Sequence, residues 1–288
     1  MKEIAKDVFI ESDFSGVVVG VIRTAHGQIL IDAPFRLEDV RTWRATLDQI
    51  GGGMERLLIS LDTHLDRTLG VKGMESMVVS HYKAIMMIKN RPGTSRAQEV
   101  DAGAMWESYD GLSSIRWTPP EITFDERIYL NWGMHQVIVE HHAGANVAGV
   151  WVILPDEKVV FVGDSVLVNQ PPFLAFADMD LWLLDLKSLL SARFHDYQIV
   201  SGRNGLVNQE DVRVMAKLIK SIQAPFERLK QKNAGNEAAV DIANKVMNQF
   251  EDQPDYHEIY LNRLRWGLGM YFEQHGNITK SLNMVKNS

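Results

Sequence analysis

Four side chains suited to metal binding or acid-base chemistry lie within six residues of one another. Asp62, His64, Asp66 and Arg67 follow directly after the apolar run Leu57-Leu58-Ile59. A short apolar run is typical of a buried strand, and α/β proteins place their binding sites at the ends of such strands. Imidazole and carboxylate groups are ligands that suit zinc, iron and manganese. The segment therefore predicts a candidate metal site at the edge of a sheet.

Two further polar residues follow apolar runs in the same way. Asp164 comes after the run 159–162, and Arg203 comes shortly after Ile199-Val200. Together with Asp66 and Arg67 they make a set of two arginines and two aspartates, which is charge-balanced without any metal. The sequence thus predicts either a metal centre or an ion-pair cluster.

The elements that position these residues alternate between strands and helices. Residues 16–24 and 28–32 form a predicted hairpin, and an amphipathic helix over 37–50 ends at three glycines, 51–53. Further predicted elements are the strands 57–61, 77–79, 127–130, 136–139, 147–154, 159–162 and 197–201 and the helix 178–190. This order predicts an α/β fold, a four-layer αββα sandwich.

In these motifs the chain resembles the metallo-β-lactamase-fold superfamily, over roughly residues 8 to 205. The superfamily motif reads His-x-His-x-Asp-His, or His-x-His-x-Asp-Arg in the zinc lactamases, so that Asp62 stands at the first histidine. The resemblance implies that His64 is a ligand of a first metal, Asp66 of a second, and Asp164 of both. It also implies the αββα fold and a hydrolytic activity.

Two other positions depart from the superfamily pattern. The turn that supplies the third ligand corresponds to residues 141–149; one alignment places Ala145 at the ligand position, and another places His142 there, with Asn146 four residues on. Both alignments stay open. Arg203 stands where the superfamily has the histidine of a Pro-Gly-His-Gly segment.

The remaining donors predict at most one divalent metal, with zinc first and iron or manganese as alternatives. Asp62, His64, His142 and Asp164 would hold it, and Asp66 would be a partial ligand or the catalytic base. Metal-bound water is a nucleophile near neutral pH. We therefore expect a metal-dependent hydrolase of an ester, thioester or phosphodiester.

The alternative is a metal-free, non-catalytic protein. Arg67 and Arg203 would then bind an anionic small molecule, because a guanidinium can donate two parallel hydrogen bonds to a carboxylate or phosphate.

Three regions are expected along the chain. Residues 1–205 form the sandwich, an aromatic insertion at 91–120 is a lid or a self-packed hairpin, and 206–288 form a helical extension. Apolar residues at helical spacing beyond Asn208 need a surface to pack on. They either clamp the sandwich or build a homodimer, and we expect the homodimer.

The composition limits the classes of molecule and metal ligand that are expected. The 288 residues carry a net charge of −7, so nucleic acid is not expected as a partner. No cysteine is present, which excludes thiolate ligands. No apolar stretch long enough to cross a membrane is seen, and residues 1–7 lack the apolar core of a signal peptide; both features favour a cytoplasmic protein. The expected partner is a small-molecule substrate, and an anionic one is among the candidates.

Overall fold

The computed structural model describes residues 1–53, 55–91, 102–109, 112, 117–133, 135–231, 237–250 and 254–275. Much of the predicted 91–120 insertion therefore lies outside the described residues. Among the described helices, none is both long and apolar enough to cross a membrane.

The first sheet has seven strands in chain order. They are β1 (Lys2–Ala5), β2 (Val8–Glu11), β3 (Val19–Arg23), β4 (Gly27–Ile31), β5 (Glu55–Ile59), β6 (Met77–His81) and β7 (Ile122–Phe124). The strands β1 to β4 pair antiparallel, and β4 to β7 pair parallel. The parallel pairing places the carboxyl ends of β4, β5 and β6 at one edge of the sheet.

The second sheet has six strands, ordered β13-β12-β11-β10-β9-β8. They are β8 (Arg127–Trp132), β9 (His135–His141), β10 (Val150–Leu154), β11 (Val159–Phe161), β12 (Gln198–Ser201) and β13 (Gly205–Val207). Only β11 and β12 pair parallel. Their carboxyl ends lie side by side, which brings the loops at Asp164 and Arg203 together.

The described part of the sandwich has four α-helices, α1 (Leu37–Ile50), α2 (Leu65–Thr68), α3 (Lys83–Lys89) and α4 (Met179–Leu189). Of these, α1 and α4 cover the outer faces of the two sheets. Trp43 of α1 packs on the first sheet, and Trp182 of α4 packs on the second. Between the sheets lies an apolar layer that includes Ile29, Val152 and Phe161. The predicted four-layer αββα sandwich is confirmed.

Three further helices complete the chain, namely α5 (Gln209–Gln231), α6 (Glu237–Met247) and α7 (His257–His275). Their apolar faces join one core with α4 and the second sheet. A Cβ on Gly267 of α7 would lie 3.1 Å from the backbone nitrogen of Leu174, so α7 approaches that segment closely. The helices thus clamp the sandwich within one chain. The homodimer and the domain limits at 205 and 206 stay predictions.

Candidate functional site

The predicted site residues meet where the strands of both sheets end. Asp62, His64, Asp66 and Arg67 follow β5, and Asp164 and Arg203 follow β11 and β12. The first loop is fixed by its own side chains. Asp62 Oδ1 accepts a hydrogen bond of 2.7 Å from the His64 backbone N–H, and His64 caps α2 by accepting from the Asp66 N–H at 3.3 Å.

Arg67 is the centre of the cluster and its side chain is 0% exposed. Its guanidinium forms ion pairs with Asp32 at 3.2 Å, with Asp62 at 3.3 Å and with Asp164. Gly202 leaves the room for this group, since a Cβ there would lie 2.7 Å from Arg67 Nη1. Burial opposes its charge, but the three carboxylates hold the pKa of Arg67 above its ordinary value.

Arg203 contacts Asp164 and two further predicted donors, and its side chain is 2% exposed. Nε donates to both oxygens of Asp164 at 3.1 Å, and Nη1 donates to Asp66 at 2.6 Å. Nη2 donates to His64 Nδ1 at 2.9 Å. The guanidinium therefore contacts three of the donors that the sequence assigned to metals.

The protonation of His64 follows from this contact. Burial, and next the charge of Arg203, lower the pKa of His64 to about 3, so the ring is neutral. Because an arginine only donates hydrogen bonds, Nδ1 must present its lone pair to Arg203 and the proton lies on Nε2. The Nδ1 lone pair is thus used by the guanidinium.

Asp66 also has a structural contact that the sequence did not predict. Its carboxylate accepts hydrogen bonds from the backbone N–H groups of Met105 at 3.2 Å and Trp106 at 2.8 Å. Burial raises the pKa of Asp66, but the charge and hydrogen bond of Arg203 and the hydrogen bond from the Trp106 N–H lower it to below its ordinary value. An ionised Asp66 therefore anchors the 102–109 segment to the site.

His142 lies in a separate ion-pair arrangement. Its Nδ1 is 2.8 Å from Asp185 Oδ1, its Nε2 is 3.5 Å from Glu140 Oε2, and its ring stacks on Trp151 with centroids 3.5 Å apart. Burial lowers the pKa of His142, but the Asp185 hydrogen bond and the charges of the two carboxylates outweigh it, and the net pKa is raised. The two carboxylates thus favour the protonated ring, although Nε2 makes no hydrogen bond to a described residue.

A small space separates His142 from Asp62 and Asp164. Ala145 and Asn146 also line it, and its volume is about 10 Å³, close to the minimum for one water molecule. Both His142 and Ala145 border this space, so the structure leaves open which of them corresponds to the third ligand.

The donor set does not fit a divalent metal. Asp62, Asp66, Asp164 and the His64 lone pair face arginines, and a metal beside two fixed guanidiniums would meet like charge. In the part of the chain that the structure describes, no three His, Asp or Glu side chains are grouped to hold a metal. The predicted ligand roles of these residues stay predictions.

Asp32 is a site residue that sequence reasoning missed. Its Oδ1 accepts from the Leu61 N–H at 2.8 Å and its Oδ2 pairs with Arg67. It has a positive φ of 57° directly after β4, and burial raises its pKa to about 7. Its position at the end of an apolar run, like that of Asp62, was the available signal.

Replacing Arg203 by methionine should lower the free energy of unfolding by about 3–5 kcal/mol, because Asp66 and Asp164 remain buried but lose the cation that pairs with them. Urea denaturation of the variant and the wild type measures this difference. Arg213→Met is the control: Arg213 is exposed and pairs with Glu210 at 3.1 Å, so a change of about 0.5 kcal/mol or less is expected. Equal effects of the two substitutions would contradict the account of the cluster.

The His142 pair predicts a pH-dependent stability. Because the pKa of His142 is raised on folding, the pair stabilises fully below the ordinary value of 6.5, and the stabilisation is lost as the pH rises through the folded pKa. The stability difference between wild type and Asp185→Asn should therefore be larger at pH 5.5 than at pH 9. Urea denaturation at both pH values measures it. Asp196→Asn, which changes an exposed carboxylate 3.8 Å from Lys158, is the control. A stability difference between wild type and Asp185→Asn that increases with pH would contradict a protonated His142.

Comparisons with known proteins bear on the fold. No family model matches the chain, and no curated protein matches it. Among solved structures, a metallo-β-lactamase from Pontibacter korlensis is 18% identical with a TM-score of 0.58, covering 76% of this chain and 97% of that one. The DIM-1 metallo-β-lactamase has 17% identity, a TM-score of 0.58, and coverage of 76% and 96%. TMB-1 has 16% identity, a TM-score of 0.58, and coverage of 77% and 97%. The chain has the metallo-β-lactamase fold.

Proposed function

We propose that this chain is a metal-free binding protein for a small organic anion with an apolar body. The observation that carries the proposal is a cavity beside His64 that is mainly apolar and contains a partly buried arginine, Arg91, with no described carboxylate within ion-pair distance. The ligand is anionic, as in the sequence-based alternative, but it binds at a different arginine. Arg67 and Arg203 are buried and already paired with aspartates, so Arg91 takes their role.

The cavity has the size and lining of a small-molecule site. Its volume is about 430 Å³, within the range of roughly 300–1,000 Å³ for ligand pockets. The apolar lining side chains are Leu65, Met87, Ala102, Ala104, Trp106, Ala145, Phe173, Ala175, Phe176, Trp266 and Met270, and the polar ones are Thr63, His64, Asn90, Arg91 and Asn146. An apolar body with a few fixed polar groups matches this lining.

Arg91 supplies the charge. It donates to the Thr63 carbonyl and, at 3.3 Å, to Thr68 Oγ1, and its guanidinium lies 4.9 Å from the Trp117 ring centroid. Of the described carboxylates, none lies within ion-pair distance of it. Burial lowers the pKa of Arg91 to about 10, against a smaller opposing effect of the Asp62 charge, so it remains a cation at neutral pH. A carboxylate or phosphate group on the ligand would complete its pairing.

Two neutral donors support the same ligand class. Trp106 Nε1 is buried, and the described part of the structure gives it no hydrogen-bond acceptor. His64 carries its proton on Nε2 and also lines the cavity. A buried donor without an acceptor costs free energy, and an acceptor atom on the ligand would remove that cost at Trp106.

The metal-dependent hydrolase of an ester, thioester or phosphodiester stays a prediction. The fold does not name a chemistry, because one scaffold can carry unrelated functions. The arginines that hold Asp66, His64 and Asp164 weigh against a zinc, iron or manganese centre. Binding without hydrolysis needs none of these donors.

Octanoate and 1-octanol are matched probes for the cavity, since they share a chain length and differ in charge. Trp106 and Trp266 line the cavity, so tryptophan fluorescence should report binding. We expect a saturable change with octanoate. Arg91→Gln should weaken octanoate binding by about tenfold or more, because a charge-assisted hydrogen bond contributes roughly 1.5–3 kcal/mol, and should leave octanol binding unchanged.

Lys89→Gln is the control, because it removes an exposed cation two residues away. It should bind both probes as the wild type does. Absence of a saturable signal with octanoate, or equal losses of octanoate and octanol affinity in Arg91→Gln, would overturn the proposal.

A further inference from the structure

A second cavity, of about 500 Å³, lies between the N-terminal loop 12–16, the segment 168–170 and helix α7. It shares no lining residue with the cavity beside His64. Arg203 and Arg263 lie in its wall, and Ser12, Ser15, Asn169, Gln170 and Asn204 supply neutral polar groups. Its lining is therefore polar, in contrast to that of the first cavity.

Arg263 is a buried cation whose hydrogen-bond partners are all neutral. It is 1% exposed. Its Nε donates to the Gly103 carbonyl, and Nη1 donates to Gln170 Oε1 and the Pro171 carbonyl, each at 3.0 Å. No described carboxylate lies within ion-pair distance of it; Asp66 and Asp164 act on its charge only from farther away. A buried charge without a counterion is unfavourable.

The position of Gln170 is the most informative contact. Its amide oxygen lies against the guanidinium in the place where a glutamate would form an ion pair. Arg67 and Arg203, by contrast, contact three and two aspartates. Burial, and next the charge of Arg203, lower the pKa of Arg263 to about 9, and the group stays charged at neutral pH. The charge of Arg263 is therefore open to a counterion from outside the chain.

Aromatic rings hold this guanidinium in place. It lies 3.8 Å from the Phe173 ring centroid and 5.1 Å from that of Tyr260, and Arg203 lies 4.4 Å from the same Phe173 ring. Gly103 packs against the backbone of α7, where a Cβ would lie 2.2 Å from the Ile259 carbonyl oxygen. The fork of Arg263 is thus pre-organised at the cavity wall, which reduces the entropic cost of binding.

We propose that this second cavity binds the oxyanion group of a small polar molecule, a carboxylate or phosphate, with Arg263 as its counterion. The serine, asparagine and glutamine side chains of the cavity wall would donate to the remaining oxygens. Asp13 also lines the cavity, but it is exposed, and its repulsion of the anion is screened by solvent and salt.

Thermal melts in sodium phosphate, sodium acetate and sodium chloride at constant ionic strength test the site. We expect a saturable rise in melting temperature with phosphate or acetate over chloride, and the larger of the two rises identifies the preferred oxyanion. Gln170→Glu should melt higher than the wild type and lose the anion response, because its carboxylate pairs with Arg263. Arg263→Gln should lose the response as well.

Arg265→Gln is the matched control, since Arg265 is an exposed arginine on the same helix, and it should respond as the wild type does. No saturable rise with either anion would overturn the proposal. An unchanged anion response in Gln170→Glu would also overturn it. This substitution replaces a side chain by one of nearly identical shape, so it should leave the packing unchanged. Neither outcome affects the octanoate experiment on the first cavity.

Discussion

The structure depends on the pairing of two buried guanidiniums with four buried aspartates. Asp32, Asp62, Asp66 and Asp164 lie at the ends of strands from both sheets, where ionised carboxylates are costly to bury without cations. Arg67 and Arg203 supply the positive charge, and each joins residues of the first sheet to Asp164 of the second. The sheet edge at which the sequence resemblance implies a metal is thus joined by ion pairs.

This pairing reaches beyond the cluster through Asp66. Because Asp66 accepts hydrogen bonds from the N–H groups of Met105 and Trp106, the segment 102–109 is fixed against the site. Gly103 of the same segment packs on α7, and its carbonyl oxygen accepts a hydrogen bond from Arg263. One carboxylate therefore connects the ion-pair cluster to both cavities, and helix α7 forms part of the wall of each.

Much of the fold could be predicted from the sequence, because apolar runs and helical spacing report burial locally. The meeting of Asp62, His64, Asp66, Asp164, Arg67 and Arg203 could be predicted as well, since each follows a strand. The contacts that each of these side chains makes could not be predicted. Whether His64 faces a metal or Arg203, and whether His142 faces the cluster or Asp185, depends on contacts between distant segments that leave no periodic signal. Arg91 and Arg263 went unnoticed for the same reason: an arginine without a counterion looks like any surface arginine in a sequence.

Metal content tests the central claim most directly. Protein purified without chelator or affinity tag should be analysed for zinc, iron and manganese, and its melting temperature should be measured before and after strong chelation and after zinc is added back. If the guanidiniums occupy the donors, the metal content is far below one equivalent and the melting temperature is unchanged in all three states. One equivalent of metal, lost on chelation together with melting temperature and restored by zinc, would contradict the account.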